Sequence, residues 1–332
     1  MENYPLITDI KMPKDFSLEE SGVTQSLISI WQECKRKFLF KINRWGLNVE
    51  KKVFQYGRAG HGILDQMYKF GQLMKLPPTQ KRIAFFAENY FKSLPQKELY
   101  ELDSQFLEVD KFRLITVLTA YTKKYRTDFT TRNYVSIEEP FKVKFKNWLL
   151  CGIMDAKFKW VKEETILEHK FLGRIQNEDD MVELADMLFQ LKFYAFANFL
   201  MTGIPTNSCM YNIIRKTGTK PRKATKKQKG ETIIDYMIRH EKEIRDKPLY
   251  FFSRYRTTYS PIQSSNFQRE LDLKITEMQL TIENKRPIYP EESSCVTVYG
   301  ICPYLHACSL GRMDNTYKQY EHVSPELHRN NQ

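Results

Sequence analysis

From Phe141 the sequence falls into a two-residue rhythm: Phe141, Val143 and Phe145 alternate with Lys142, Lys144 and Lys146. A period of two turns the apolar residues to one face of a strand and the lysines to the other, so the chain must build a half-exposed strand here. Trp148 to Val161 continues as a second strand and Thr165 to Phe171 as a third, with Lys162-Glu163-Glu164 as the short link a hairpin needs. Upstream the rhythm is helical. Leu27, Ile28, Trp31, Phe38 and Ile42 predict one helix over Thr24–Asn43, and a second starts near Tyr56, carrying His61, Leu64, Met67 and Tyr68. Residues 79–130 read as two or three more helices, divided near Leu94-Pro95 and Asp103-Ser104. After the third strand come a helix from about Asp180 to Met201, a strand over Ser208–Ile214, a strand near Leu249–Tyr255 and a helix over Ser264–Ile282. The expectation is an α/β fold with a helical insertion before the sheet.

The 332 residues are 42% hydrophobic and 28% charged, the balance of a folded globular protein rather than a disordered one. A net charge of +12 suits a polyanionic partner, since each phosphate contact releases counterions. The first 20 residues lack the continuous apolar stretch of a signal peptide. The most apolar segment, Met187 to Met201, is interrupted by Gln190, Lys192 and Asn198, short of the roughly 18 apolar residues a bilayer span needs. A cytoplasmic protein with no membrane role is expected, in a host cytoplasm if phage-encoded. In such a reducing compartment the six cysteines serve as metal ligands or buried residues, not as a disulfide framework. The run Arg215, Lys216, Lys220, Arg222, Lys223, Lys226, Lys227 and Lys229 contains no acid; it suits a solvated loop or a loop that grips a phosphate backbone.

Chemistry concentrates on two strands, Gly152-Ile153-Met154-Asp155 and Leu167-Glu168-His169-Lys170. Strand alternation sends Glu168 and Lys170 to one face and His169 to the other, and a hairpin can set Asp155 beside the pair. Two carboxylates with an ammonium suit Mg2+ or Mn2+, which acidifies water and neutralises phosphate charge while the lysine orients the nucleophile. Alone, Glu168-x-Lys170 is an ordinary surface ion pair. It has company: Gly57-x3-His61 upstream on a helix, and Gln190-x3-Tyr194 downstream, four apart and therefore on one helix face.

In that order, Gly57/His61, Gly152/Asp155, Glu168/Lys170 and Gln190/Tyr194 resemble the RecB-like branch of the PD-(D/E)XK nucleases. That branch includes the AddB nuclease domain and the CRISPR adaptation nucleases with an iron–sulfur cluster. The match spans roughly residues 24–310. The resemblance implies a restriction-endonuclease-like core, a mixed central sheet flanked by helices. It implies that His61, Asp155, Glu168 and the backbone carbonyl of His169 ligate Mg2+ or Mn2+. Lys170 would serve the attacking water, and Gln190 and Tyr194 would brace Lys170 and the DNA backbone. Cluster-bearing members use one cysteine before the core and three after it, which maps onto Cys34 and onto Cys295, Cys302 and Cys308. These would hold a 4Fe–4S cluster that joins the two ends of the chain, with zinc on the same four thiolates as the alternative. Two departures stand out: six residues separate Cys295 from Cys302 where many relatives have two, and Lys35 follows Cys34 where many have proline. Cys151 and Cys209 read as core residues.

One nuclease domain over 1–332 follows, with a cluster region at 20–55 and 285–312, a helical arch at 62–135, a catalytic core at 136–260 and a frayed polar tail at 313–332. In the arch Phe85, Phe86, Tyr90 and Phe91 suit either base stacking or, better, core packing. No phosphate loop of the motor type is present. The resemblance implies an exonuclease acting on single-stranded or resected DNA ends in recombination, replication or CRISPR adaptation, with recombination or adaptation proteins as partners. The chain's length and the lack of a motor suit a phage or mobile-element nuclease, and a homo-oligomer is open. The alternative is an inactive DNA-binding protein or complex subunit that keeps the nuclease fold.

Overall fold

The computed structural model describes residues 4–14, 16–47, 52–94, 104–160, 163–172, 188–206, 208–223, 229–297 and 300–320. The chain begins with helices α1 (Gln25–Glu33) and α2 (Lys35–Ile42) and the short strand β1 (Trp45–Leu47). Then come helices α3 (Lys52–Met74), α4 (Gln80–Ser93), α5 (Ser104–Lys124) and the single turn α6 (Thr127–Thr130). The meander β2 (Asn133–Phe145), β3 (Trp148–Trp160) and β4 (Glu163–Leu172) leads to α7 (Phe189–Thr202) and β5 (Ser208–Arg215). Helix α8 (Ile233–Asp246), the turn α9 (Pro248–Phe251), strand β6 (Phe252–Thr258) and helix α10 (Pro261–Ile282) complete the core.

The sheet has the order β2-β3-β4-β5-β6, antiparallel except for the parallel pair β4–β5. This mixed five-stranded sheet flanked by helices is the α/β core that the change of period predicts. Every residue of β5 is buried, as a strand covered on both faces requires. Its Cys209, Tyr211 and Ile213 join the core formed with α1, α2, α7 and α10. Met210 and Ile214 join a second core on the opposite face, formed with α3, α4, α5 and α8.

Several boundaries depart from the sequence reading. The single helix expected over Thr24–Asn43 breaks at Cys34, whose backbone is extended (φ −165°, ψ 119°) and whose sulfur caps α2 by accepting from the Lys37 N–H. The apolar spacing is continuous across the break, so periodicity alone could not show it. Leu249 lies in the turn α9, and the strand starts only at Phe252. Helix α10 starts at Pro261 behind a capping box of Ser260 and Gln263. Of the helix expected from Asp180, residues 180–187 lie outside the described residues. The tail is not frayed from 313 as expected: strand Tyr317–Gln319 pairs with β1, and Tyr317 is buried against Tyr304. The segment expected to arch over the site instead packs α4 and α5 against α3 and α8 as a buttress behind the sheet. There Phe86 is buried, Tyr90 and Phe91 pack against the same core, and Phe85 alone of the four is exposed.

Candidate active site

Strands β3 and β4 pair from Trp160/Glu163 up to Ala156/Leu167 and then part. Just beyond the last pair, the Asp155 side chain takes over the ladder: its Oδ2 accepts the His169 N–H at 2.7 Å. The edge of β3 that β4 leaves is taken by Val23, which bonds Leu149 and Cys151. Gly22 makes that approach possible; its φ is +84°, and a Cβ there would meet the Cys151 sulfur at 2.6 Å. The parted strands leave a cleft of about 160 Å³ lined by His61, Asp155, Glu168, Lys170, Gln190 and Tyr194, closed on one side by Thr24, Gln25 and Ser26 at the start of α1. Gly152 keeps its wall flat, since a Cβ would press on the Phe141 ring at 3.0 Å. Four separate sequence motifs thus meet in one place.

His61 projects from α3, with Nδ1 3.3 Å from Asp155 Oδ1. Glu168 Oε1 accepts from Lys170 Nζ at 2.7 Å and from Gln190 Nε2 at 2.8 Å; the same amide reaches the Tyr194 hydroxyl at 3.2 Å. Gln190 therefore braces Glu168 directly, not Lys170 as expected. Glu168 Oε2 is buried without a hydrogen-bond partner among the described residues, in a residue only 2% exposed. Such an atom is costly unless something meets it.

The charges are strongly coupled. Burial lifts the Glu168 carboxyl to about 7, and the nearby Asp155 charge adds to this, against the opposing pull of Lys170. Burial would raise Asp155 too, but the His61 charge and hydrogen bond, with His169 and Lys170, hold it well below the usual carboxylate range. Burial works against a charged His61, yet Asp155 lifts its pKa above the ordinary value. Burial works against a charged Lys170, but Glu168, Tyr211 and Asp155 together outweigh it, so its pKa is raised and it stays an ammonium.

The donor set fits a hard divalent cation: carboxylates, an imidazole and a buried carboxylate oxygen with nothing bound to it. Glu138 lies close to two of these residues: one of its carboxylate oxygens, a His61 ring nitrogen and an Asp155 oxygen are all within 4.8 Å of one another. Sequence reasoning missed it, because in Ile137-Glu138-Glu139 nothing marks one acid over the other until the register of β2 on β3 is known.

His169 faces away. Its ring stacks on Tyr68 (5.4 Å, 25°), and its Nδ1 meets Asn212 Nδ2 at 2.7 Å. Asn212 Oδ1 accepts from Arg254, which can only donate, so the amide presents N–H to Nδ1 and the ring is neutral. Burial agrees, depressing the His169 pKa to about 3.

Of the basic run, Lys220, Arg222, Lys223 and Lys229 are exposed, while Lys226 and Lys227 lie outside the described residues. Two members are corrected. Arg215 is 3% exposed under the Tyr250 ring, and Lys216 pairs with Asp110 at 2.7 Å, so both are committed to the interior rather than presented to a partner.

The cysteines from the two ends of the chain approach one another. Cys34 Sγ accepts the Glu291 N–H at 3.4 Å, the Cys302 N–H bonds the Cys295 carbonyl, and the Ser294 hydroxyl bonds the Glu33 carbonyl. Burial raises the thiols of Cys302 and Cys308, and each also feels Cys34. Among the described residues no three of these sulfurs lie within 4.8 Å of one another. Cys151 and Cys209 are buried core residues, as expected. No helix among the described residues is long and apolar enough to cross a membrane.

No protein-family model matches the chain, and no curated protein matches it. Among solved structures it is similar to a candidate exonuclease from Eubacterium rectale, with a TM-score of 0.45 and 11% identity over 88% of each chain. The functional reading rests on the cleft itself.

Proposed function

We propose that the chain is a metal-dependent deoxyribonuclease of the RecB-like PD-(D/E)XK kind, an exonuclease acting on single-stranded or resected DNA ends. The observation that carries this reading is the convergence of His61, Asp155, Glu168 and Lys170 on one cleft around an unsatisfied Glu168 oxygen. A Mg2+ or Mn2+ ion held by His61, Asp155, Glu168 and the His169 carbonyl supplies charge neutralisation for the scissile phosphate and a more acidic water. Lys170 is 31% exposed and firmly protonated, so it orients the attacking water and stabilises developing negative charge rather than removing a proton. Gln190 and Tyr194 hold Glu168 in place from α7. The exposed lysines and arginine of the 220–229 loop supply phosphate contacts.

The four cysteines hold a 4Fe–4S cluster in this reading. What supports this reading is the approach of Cys34 to the C-terminal segment, where its sulfur accepts the Glu291 N–H at 3.4 Å; zinc on the same four thiolates is the alternative.

The test is to incubate anaerobically purified protein with Mn2+ and end-labelled linear or covalently closed DNA, beside a Lys170→Ala variant. Metal-dependent shortening of linear DNA is expected, slower by about 10²–10⁴-fold in the variant, with the closed circle spared. Binding without cleavage, unchanged by the variant, overturns the reading in favour of an inactive DNA-binding protein.

A further inference from the structure

Strand β2 has one residue with an unusual backbone. Glu138 has φ +48°, in the left-handed region that a non-glycine residue enters only at a cost. It falls between Ile137, opposite Ala156, and Glu139, opposite Met154, which brings Glu138 level with Asp155 across the β2–β3 ladder. One Glu138 carboxylate oxygen, one Asp155 oxygen and a His61 ring nitrogen then lie within 4.8 Å of one another. A second observation points to a ligand here. Glu168, 2% exposed, lines the cleft that His61 and Asp155 also line, and its Oε2 has no hydrogen-bond partner among the described residues, so a buried acceptor oxygen is left open beside two members of the triad.

We propose that Glu138 is a metal ligand, and that His61, Glu138 and Asp155 together hold a divalent cation. The inference rests on the metal-dependent reading above and adds a ligand that its four motifs do not contain. The strand turns out of its regular conformation at the one position level with Asp155, and the ion repays that cost by drawing the three side chains together. An imidazole with two carboxylates is a mixed donor set, better matched to Mn2+ than to Mg2+, which prefers oxygen and keeps its own waters.

The test is Mn2+ binding to the full-length, anaerobically purified protein, followed by electron paramagnetic resonance. Wild type is compared with Glu138→Gln, Glu138→Asp and Glu139→Gln. Glu139 is the adjacent, exposed acid, 3.7 Å from Lys157, and serves as the charge control. The expected result is a loss of at least tenfold in Mn2+ affinity for Glu138→Gln and a smaller loss for Glu138→Asp, with Glu139→Gln matching wild type. Bound Mn2+ should show coupling to an imidazole nitrogen that His61→Ala removes. The metal-free melting temperature should stay near wild type for both Glu138 variants. Wild-type affinity in a folded Glu138→Gln or Glu138→Asp protein overturns the assignment while leaving the nuclease reading intact. If wild type itself binds no Mn2+, the metal reading fails and this inference fails with it.

Discussion

Glu168 and His169 are consecutive residues of β4, each 2% exposed, and they face opposite sides of the sheet. Behind the sheet, His169 enters a hydrogen-bonded network through Nδ1, while its Nε2 is buried without a partner among the described residues. Asn212 joins it to Arg254; Arg254 bonds Tyr121 and pairs with Asp128; and Tyr68 and Tyr121 bond each other at 2.7 Å. In front, Glu168 spends one oxygen on Lys170 and Gln190 and leaves the other unspent. Each face leaves one buried polar atom without a partner among the described residues, and the setting differs: Glu168 Oε2 belongs to a residue lining an open cleft, whereas the His169 ring packs against Tyr68 and Tyr121. The back of β4 is thus a structural clamp, while the front opens on the cleft.

The comparison breaks most visibly if the clamp is cut. Arg254→Ala leaves the fully buried Asp128 carboxylate with Arg132 alone among the described residues as its ion-pair partner, at 3.2 Å, and removes the donor to Asn212; it is expected to cost about 1.5–3 kcal/mol of stability, measured by denaturant unfolding. A loss below about 1 kcal/mol would mean that the back face is no more structural than the front. In front, Gln190→Ala should barely move stability but lower Mn2+ affinity by about 10–100-fold, because the amide that positions Glu168 is gone. Titration calorimetry checks this, and equal affinity would reduce Gln190 to a packing residue.

The smallest effect is a slope. His169 titrates at about 3 in the fold against an ordinary value of 6.5, so between those values the unfolded chain takes up the proton first. This contribution to stability is present in full above about 6.5 and is lost as the pH falls toward 3, at up to about 1.4 kcal/mol per pH unit. His169→Asn should flatten that part of the stability profile relative to wild type. An unchanged slope would mean that the ring is charged in the folded protein.

How much of this the sequence carried differs between the two faces. The front was legible because Glu168-x-Lys170 on a strand and Gln190-x3-Tyr194 on a helix each encode a face through a local period of two or four. The clamp was not, since Asp128, Asn212 and Arg254 come from a helical turn and two strands far apart in sequence and meet only once the sheet order is known. Glu138 was missed for the same reason: register, not spacing, brings it level with Asp155. Gln190 was read on the correct face but given the wrong partner, because a helix face specifies direction and not which of two neighbours is met. The break at Cys34 escaped notice because a cysteine is an uncommon helix cap and the apolar pattern runs straight through it. Arg215 and Lys216 show the limit of reading charge runs: the first two residues of a basic stretch still belong to the end of a buried strand and its exit.

The central claim is that Glu168 is buried for what it binds and not for what it holds together. Thermal unfolding of wild type and Glu168→Gln, each with and without Mn2+, tests it most directly. The account predicts that the metal-free variant melts at or above the wild-type temperature, since a costly buried carboxyl has become a neutral amide, and that Mn2+ raises the melting temperature of wild type alone. A variant that is destabilised without metal, yet still stabilised by Mn2+, would contradict it.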